Sequence, residues 1–390
     1  MGLTMAESLP AAKAPVVMAR GALQTLIDML IETGYEVVGP TVRDGAIVYD
    51  HISGLSELPA GWTDRQEAGA YRLERRGDDA FFSFAVGPHS WKRFLHPPLE
   101  TLWSAHREGD GIEFTAPPEP STPFAFIGVR ACELQAIAIQ DRVFCQGPFH
   151  DQAYAERRRK SFIVAVNCAE PGGTCFCASM QTGPRAQQGF DLALTELLEG
   201  DAVFVVEIGS AAGAALLAKV AQRPAAPGEV EAARQVVAAA ATRMGRHLQT
   251  DGIKNLLQAN PNHSQWEALG KRCLSCGNCT MVCPTCFCTS VDEVGDLAGE
   301  TARRVRKWDS CFTMEFSYIH GGSVRHSAAA RYRQWMTHKL ANWIDQFGTS
   351  GCVGCGRCIT WCPVGIDITA EVAAIRADVQ GTGSAADAGT

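Results

Sequence analysis

The sequence predicts an α+β or α/β N-terminal domain followed by a mostly helical, cysteine-rich domain. Nearly continuous apolar runs at Phe124–Val129, Phe162–Val166 and Ala202–Ile208 are typical of strands buried on both faces of a sheet. Helical patterns, such as the one over Ala19–Thr33, alternate with these runs. Most of the 16 cysteines lie in residues 263–372, where the segments that lead into the cysteine runs have helical spacing.

Shorter elements fit the same fold class. Tyr35–Val38 and Ala46–Tyr49 are predicted strands on either side of a turn, and Phe81–Val86 is a further predicted strand. A helix is predicted to begin at Ala131, directly after the first apolar run. The Ala-rich stretch 211–248 is predicted to be helical, with a break at its prolines.

The chain divides into four predicted segments. Residues 1–18 are small and Pro-containing, so we expect them to be flexible. Residues 19–255 form the α/β domain and residues 256–372 form the helical domain, with a boundary near the turn residues Asn260-Pro261-Asn262. Residues 373–390 end in Gly, Ala, Ser and Asp and are expected to be a disordered tail.

Composition excludes several classes of function. The net charge of −7 argues against a protein that holds nucleic-acid phosphates. No apolar stretch is as long as a membrane span, and the N-terminus lacks the pattern of a secretory signal. So many cysteines in a long chain without an export signal indicate metal or redox chemistry in a reducing, cytoplasmic setting.

The cysteines contain one internal repeat. The pattern C-x2-C-x2-C-x3-C-P occurs twice, with Gly after the second cysteine each time. We call these run one and run two. Run one is Cys273, Cys276, Cys279 and Cys283; run two is Cys352, Cys355, Cys358 and Cys362.

This spacing is typical of [4Fe–4S] clusters. The three closely spaced thiolates of a run bind three irons of one cluster, and the last cysteine of the run binds the other cluster. Tetrahedral zinc is the alternative, but zinc sites are usually built from two separated pairs. The helical approaches to both runs favour a helical two-cluster ferredoxin domain. The predicted ligands are Cys273, Cys276, Cys279 and Cys362 for cluster A, and Cys352, Cys355, Cys358 and Cys283 for cluster B.

Four N-terminal cysteines form a possible third iron–sulfur site. Cys132 and Cys168 each follow a predicted buried strand, and the two thiols would meet at one sheet edge if the strands are parallel. Cys175 and Cys177 follow a few residues after Cys168. The alternative is that these four are buried small apolar residues.

Other candidates have no assigned role. Cys286, Cys288 and Cys311 could be packing residues, a redox thiol pair or alternative ligands, and nothing in the sequence selects one. Cys145 is interpreted as a core residue. His338 and Lys339, near run two, could influence cluster B, but the preferred interpretation is a solvated helix face. No catalytic triad or carboxylate pair is recognisable, so no catalytic residue is predicted.

Several motifs together resemble a known family. They are Cys273–Cys288 with its C-P-T-C-x-C ending, Trp308-x-x-Cys311, Arg130-Ala-Cys132-Glu133 and Thr174-Cys175-Phe-Cys177. This combination resembles the iron–sulfur β subunit of soluble, NAD(P)-linked NiFe hydrogenases of the sulfhydrogenase type. It is also similar to the iron–sulfur subunit of anaerobic sulfite reductase. The stretches Val38–Tyr49 and Gly87–Phe94 look closer to the hydrogenase branch.

The resemblance implies an electron-transfer subunit that relays single electrons. The expected partners are a flavoprotein subunit linked to NAD(P)H, together with a NiFe hydrogenase subunit or, in the second branch, a siroheme sulfite reductase subunit. The expected cofactors are two [4Fe–4S] clusters, and a third iron–sulfur cluster is the hypothesis for the four N-terminal cysteines. A stand-alone thiol- or sulfur-active oxidoreductase is the alternative from another class, and a cluster-stapled binding module is a third possibility.

Overall fold

The fold is given by a computed structural model that describes residues 14–117 and 122–387, without the side chains of 382–387. Its strands, in chain order, are β1 (Val16–Ala19), β2 (Glu36–Arg43), β3 (Ala46–His51), β4 (Trp62–Glu67), β5 (Ala70–Arg75), β6 (Leu99–Glu108), β7 (Gly111–Thr115), β8 (Phe124–Val129), β9 (Phe162–Val166), β10 (Leu192–Leu197), β11 (Val203–Ile208), β12 (Arg223–Pro224), β13 (Thr289–Gly295), β14 (Thr301–Trp308), β15 (Tyr318–Ile319) and β16 (Gly322–Ser323). Its α-helices are α1 (Ala22–Glu32), α2 (Lys92–Leu95), α3 (Ala131–Cys145), α4 (Gln152–Lys160), α5 (Ala211–Leu217), α6 (Pro227–Thr242), α7 (Ile253–Ala259), α8 (Ser264–Arg272), α9 (Asn278–Met281), α10 (Ala328–Thr337), α11 (Trp343–Phe347), α12 (Arg357–Thr360) and α13 (Ile368–Asp387).

An eight-stranded sheet organises the N-terminal part of the described chain. Its strand order is β12-β1-β11-β10-β9-β8-β2-β3. The central strands β2, β8, β9 and β10 are parallel, and antiparallel strands close both edges. The expectation that Phe124–Val129 and Phe162–Val166 are parallel neighbours is therefore confirmed.

Both faces of this sheet are buried, which explains its unbroken apolar strands. Successive residues of β9 alternate between two cores: Val164 packs with helix α1, and Ile163 packs with helix α3. In α1 the buried residues recur at helical spacing and are Leu23, Leu26, Ile27 and Leu30. The helix and strand patterns read from the sequence thus correspond to layers of one mixed sheet domain.

A second sheet joins the two predicted domains. Its order is β13-β14-β6-β7, so one pair of strands comes from residues 19–255 and the other pair from residues 256–372. The hairpin of β13 and β14 between the cysteine runs is absent from the elements predicted above. Helices surround a separate apolar core in the C-terminal part, with Trp266, Trp335 and Leu340 among its buried residues.

Three local expectations are corrected. Phe81–Val86 forms no strand, because the N–H groups of Phe81 and Phe82 donate to the Glu196 carboxylate at 2.9 and 3.0 Å instead of to a neighbouring strand. The segment 1–18 is not loose throughout, because β1 pairs with β11; residues 1–13 lie outside the described residues. The segment 373–390 is not a disordered tail up to residue 387, because α13 runs through it and buries Ile375.

No helix in the described ranges is both long enough and apolar enough to cross a membrane.

Candidate iron–sulfur sites

The two cysteine runs fold into the same local structure. In each run the residue before the second cysteine and the glycine after it have left-handed backbone conformations: φ is 53° at Ser275 and 77° at Gly277, and 65° at Gly354 and 75° at Gly356. Glycine adopts this conformation without the steric cost that other residues incur. The repeated Gly after the second cysteine is therefore required by the loop.

Each loop also points a backbone N–H at its first sulfur. The N–H of Ser275 donates to Sγ of Cys273 at 3.4 Å, and the N–H of Gly354 donates to Sγ of Cys352 at 3.4 Å. The four-residue helices α9 and α12 then carry the third cysteine of each run. Such N–H···S bonds are among the features that set the potential of iron–sulfur clusters.

The four cysteines predicted for cluster A line one pocket. Cys273, Cys276 and Cys279 come from run one, and Cys362 comes from run two. Cys276 is exposed at the opening. The other walls are mainly apolar and include Phe312, Tyr332, Trp335, Ile366 and Ile368. Cys358 of run two also lines the pocket, although it is predicted to bind cluster B. An apolar pocket with the four predicted sulfurs on its wall fits a cubane, whose irons would accept those four thiolates.

The four cysteines predicted for cluster B lie within electrostatic range of one another. Burial raises the pKa of Cys358, and the neighbouring sulfurs of Cys352, Cys355 and Cys283 raise it further. Burial likewise raises the pKa of Cys352 to about 12, against the opposing effect of Lys339. A bound metal reverses this balance, because it deprotonates a coordinating thiol.

The side chain of Arg357 also supports a negatively charged cluster at site B. Its Nη1 atom is buried and has no hydrogen-bond partner among the described residues. Burial raises the pKa of the neighbouring Cys355 thiol, and the charge of Arg357 acts in the opposite direction. A buried cationic donor beside a cysteine favours an anionic sulfur there.

The four N-terminal cysteines are also brought together. Cys132 lies in the first turn of α3 after β8, and Cys168 follows β9 at the same edge of the sheet. Burial raises the pKa of Cys132, and the sulfurs of Cys177, Cys355 and Cys168 contribute. The sulfur of Cys175 lies 3.8 Å from the carbonyl oxygen of Cys355. The set therefore adjoins run two.

The loop that carries Cys175 and Cys177 packs directly on the run-two loop. The N–H of Phe176 donates to the carbonyl of Gly354 at 2.8 Å, and the hydroxyl of Thr182 donates to the carbonyl of Val353 at 2.6 Å. A Cβ at Gly354 would lie 2.7 Å from Cα of Cys177. Glycine at this position thus allows both the loop turn and the close contact.

A buried ion pair, which no sequence pattern predicted, joins the same two regions. Nη2 of Arg357 donates to Oε1 of Glu133 at 2.6 Å, and both side chains are almost wholly buried. The other carboxylate oxygen accepts from Tyr49 Oη at 2.6 Å and from Trp91 Nε1 at 2.8 Å. Glu133 follows Cys132, and Arg357 lies between Cys355 and Cys358, so the pair fixes one cysteine set against the other.

Of the unassigned thiols, Cys286 lies next to Cys283 of site B, whereas Cys311 lies within electrostatic range of Cys279 of site A. The thiol of Cys286 is hydrogen-bonded to the sulfur of Cys283, and the thiols of Cys288 and Cys311 are hydrogen-bonded to each other. Within the described residues, no three His, Cys, Asp or Glu side chains are arranged to hold a single metal ion.

Lys339 corrects the expectation of a solvated helix face. It lies in a π-helical turn, His338–Asn342, and its side chain is buried, with Nζ 3.0 Å from Sγ of Cys283. Lys92 is buried nearby, and burial lowers its pKa to about 8. No sequence pattern marked Lys92. For Lys339 the sequence favoured the solvated face, because a single Lys on a helix is usually solvated.

Comparison with known proteins agrees with this geometry. Residues 272–366 match the family model of a 4Fe-4S dicluster domain. The chain is also 32% identical over 285 residues to "Sulfhydrogenase 2 subunit beta" of Pyrococcus furiosus, over 71% of this chain and 79% of the relative. This chain belongs to the sulfhydrogenase β-subunit family. The expected family is thereby confirmed, and so are iron–sulfur clusters in the C-terminal region of this sulfhydrogenase β-type chain.

The matched dicluster region covers all eight cysteines of runs one and two. The four N-terminal cysteines of this sulfhydrogenase β-type chain lie before it. Their role as ligands therefore stays a prediction that rests on their placement beside run two.

Proposed function

We propose that this chain is the electron-transfer iron–sulfur subunit of a hydrogenase and that it relays single electrons through three cysteine sites in a row. The order of the sites supports this proposal. The N-terminal set adjoins Cys355 of site B, and Cys358 of site B lies within electrostatic range of Cys279 of site A. An uninterrupted series of redox sites is what a relay needs.

The ligand sets of the proposal follow these contacts. Site A uses Cys273, Cys276, Cys279 and Cys362; site B uses Cys352, Cys355, Cys358 and Cys283; the third site uses Cys132, Cys168, Cys175 and Cys177. A bound [4Fe–4S] cluster supplies one-electron chemistry. The chain holds each sulfur in place and donates backbone N–H groups to the first sulfur of each run.

The two ends of the row of sites differ in solvent exposure: site A reaches the surface, and the third site is more deeply buried. At site A, Cys276 is exposed, and Leu274 and Val364 beside it are 63% and 40% exposed. At the other end, Cys132, Cys175 and Cys177 are buried, and Cys168 is partly buried. We propose that a partner protein, either the flavoprotein linked to NAD(P)H or the NiFe subunit, docks over the apolar rim of site A.

Iron content and spectroscopy of the anaerobically prepared chain test the proposal. We expect about twelve irons per chain, four for each of three cubes, and absorbance that bleaches on reduction with dithionite. The isolated chain should show no hydrogenase activity. About eight irons would remove the third site only, whereas zinc in place of iron, or hydrogen turnover by the single chain, would overturn the relay.

Co-purification from the native source distinguishes the branches of the family. A NiFe subunit in equal amount would support the hydrogenase proposal. A siroheme subunit in its place would show that the chain acts as the iron–sulfur subunit of an anaerobic sulfite reductase.

One observation favours a thiol-active oxidoreductase as the second candidate. Cys288 and Cys311 are half-buried, and their thiols are in hydrogen-bond contact, as a reactive dithiol requires. Alkylation of these two thiols with the clusters intact tests this candidate. Unchanged electron transfer after alkylation would exclude it.

A further inference from the structure

The last cysteines of the two runs have the same place in the repeat but different surroundings. Sγ of Cys362 accepts the backbone N–H of Ile366 at 3.3 Å. Sγ of Cys283 instead receives the ammonium of Lys339 at 3.0 Å and lies 3.1 Å from the hydroxyl of Thr285. The repeat is therefore symmetric in its backbone and asymmetric in charge.

Hydrogen bonds of both its backbone and its side chain hold Lys339 in place. Its carbonyl accepts the N–H of Gly351 at 2.7 Å, and its ammonium lies 3.3 Å from the carbonyl of that same residue. Its third acceptor is Oγ1 of Thr285 at 2.9 Å. An ammonium has three N–H groups, and here they meet three acceptors. The side chain thus connects the end of run one to the start of run two.

A buried ammonium needs an anionic partner. Lys339 is 5% exposed, and burial of an unpaired charge costs several kcal/mol or neutralises the group. Two of its hydrogen-bond acceptors, the Thr285 hydroxyl and the Gly351 carbonyl, are neutral. The remaining acceptor is the sulfur of Cys283, which is anionic when it is a metal ligand.

We propose that Lys339 is a positioning residue that raises the reduction potential of cluster B above that of cluster A. The inference rests on the proposed role of Cys283 as a ligand of cluster B. Reduction adds one negative charge to a cluster, and a fixed positive charge in contact with a ligand sulfur stabilises the reduced form. Electrons therefore reside preferentially at cluster B rather than at cluster A.

The test is a redox titration, followed by electron paramagnetic resonance, of the anaerobically purified full chain. The signal of cluster B is identified by its loss in the variant Cys355→Ser. In Lys339→Met we expect the equilibrium constant for one-electron reduction of cluster B to fall at least tenfold, which is a shift of about 59 mV to more negative potential. Cluster A should keep its potential.

Three further variants separate charge from packing. Lys339→Arg keeps the charge and should keep most of the potential, whereas Lys339→Gln removes it and should behave like Lys339→Met. Thr285→Val removes a hydroxyl beside Cys283 but leaves the ammonium, so its shift should be much smaller. As a control, Lys254→Met removes a lysine paired with Asp345 at the surface and should leave both potentials unchanged.

The outcomes distinguish this inference from the proposed function. If the wild-type chain has no cluster signals, the relay itself is wrong. If cluster B is present and its potential is the same in Lys339→Met and Lys339→Gln as in the wild type, only the role of Lys339 is wrong. If the uncharged variants fail to bind iron while Lys339→Arg binds it at the native potential, the charge requirement is supported. Loss of iron in all three would make Lys339 structural and overturn the inference.

Discussion

The N-terminal sheet and the C-terminal runs place their cysteines by different means. In the sheet domain, Cys132 and Cys168 lie at the ends of parallel strands whose two faces are buried in apolar cores. In the runs, each loop is shaped by left-handed residues and by helices of only four residues, α9 and α12. Helices this short are unstable by themselves.

The difference indicates where the metal is needed for folding. The sheet has an apolar core that is complete without a cluster, so its cysteines are presented by a finished scaffold. The runs depend on cluster binding, because metal binding supplies folding free energy when the ligands are not otherwise held in place. Four predictions test this contrast, in decreasing order of the change that we expect.

The greatest change should come from Cys355→Ser, which removes a proposed ligand of site B between the two regions. We expect the loss of about four irons per chain and unfolding of the run-two loop, with the eight-stranded sheet retained. Iron analysis and hydrogen exchange mapped along the chain measure both effects. Cys145→Ser, outside all ligand sets, is the matched control. Native iron content in the Cys355 variant would contradict the assignment.

Glu133→Gln should disrupt the connection between the regions. The substitution leaves the charge of Arg357 buried without its partner, which costs about 3–5 kcal/mol of unfolding free energy. Chemical denaturation under anaerobic conditions measures this loss. Glu231→Gln, which removes an exposed carboxylate paired with Arg234, should leave the denaturation midpoint almost unchanged. Equal midpoints for the two variants would show that the buried pair does not connect the regions.

Cys132→Ala tests the same contrast in the sheet domain. If the third site holds a cluster, the variant should lose about four irons per chain but keep the sheet, because the apolar cores stay intact. Iron analysis together with the thermal midpoint of the sheet domain measures the two outcomes separately. Unchanged iron content would leave the four N-terminal cysteines as buried apolar residues.

The least change concerns His96, which lies where the regions meet: its carbonyl accepts Trp308 Nε1 at 3.0 Å. Burial, followed by the charges of Arg306 and Lys92, lowers the pKa of His96 to about 3. The unfolded chain binds this proton near the ordinary pKa of about 6.5. Stability is therefore full above about pH 6.5 and is lost as the pH falls towards 3, by at most about 1.4 kcal/mol per pH unit for one proton.

Thermal midpoints measured between about pH 7.5 and pH 5.5, on either side of the ordinary histidine pKa, test this dependence. His96→Leu should show a flatter pH profile than the wild type, because it has no group to protonate there. His106→Gln, at an exposed position of β6, should follow the wild-type profile. Identical profiles for all three chains would refute the prediction for His96.

The parts of the site that could be predicted from the sequence are those encoded locally. The spacing of Cys273, Cys276 and Cys279 identifies one loop, and its repetition in run two identifies the second. Residues that act across long separations could not be found in this way. Glu133 and Arg357 are 224 positions apart, and neither has a neighbour that marks it as one half of a pair. Lys339 lies buried in a π-helical turn, and no residue pattern in the sequence predicts that turn.

The fold shows the same division between local and distant information. Apolar runs predicted β8 and β9, because strands buried on both faces have their own composition. The sheet of β6, β7, β13 and β14 was not predicted, because its strand pairs are about two hundred residues apart and largely exposed. The expectation of a disordered tail over residues 373–390 was also wrong for the part that the structure describes. Its small residues suggest disorder, but Val372 and Ile375 pack α13 against the C-terminal core.

The long separation between Glu133 and Arg357 has a consequence for biosynthesis. A ribosome delivers the amino-terminal part first, so the carboxylate of Glu133, with Tyr49 and Trp91 beside it, is enclosed well before its guanidinium is made. Any chain interrupted before position 357 keeps an uncompensated anion inside an otherwise finished sheet. Prematurely terminated products therefore lack this ion pair, and their sheet domain is less stable than the same domain in the full-length chain.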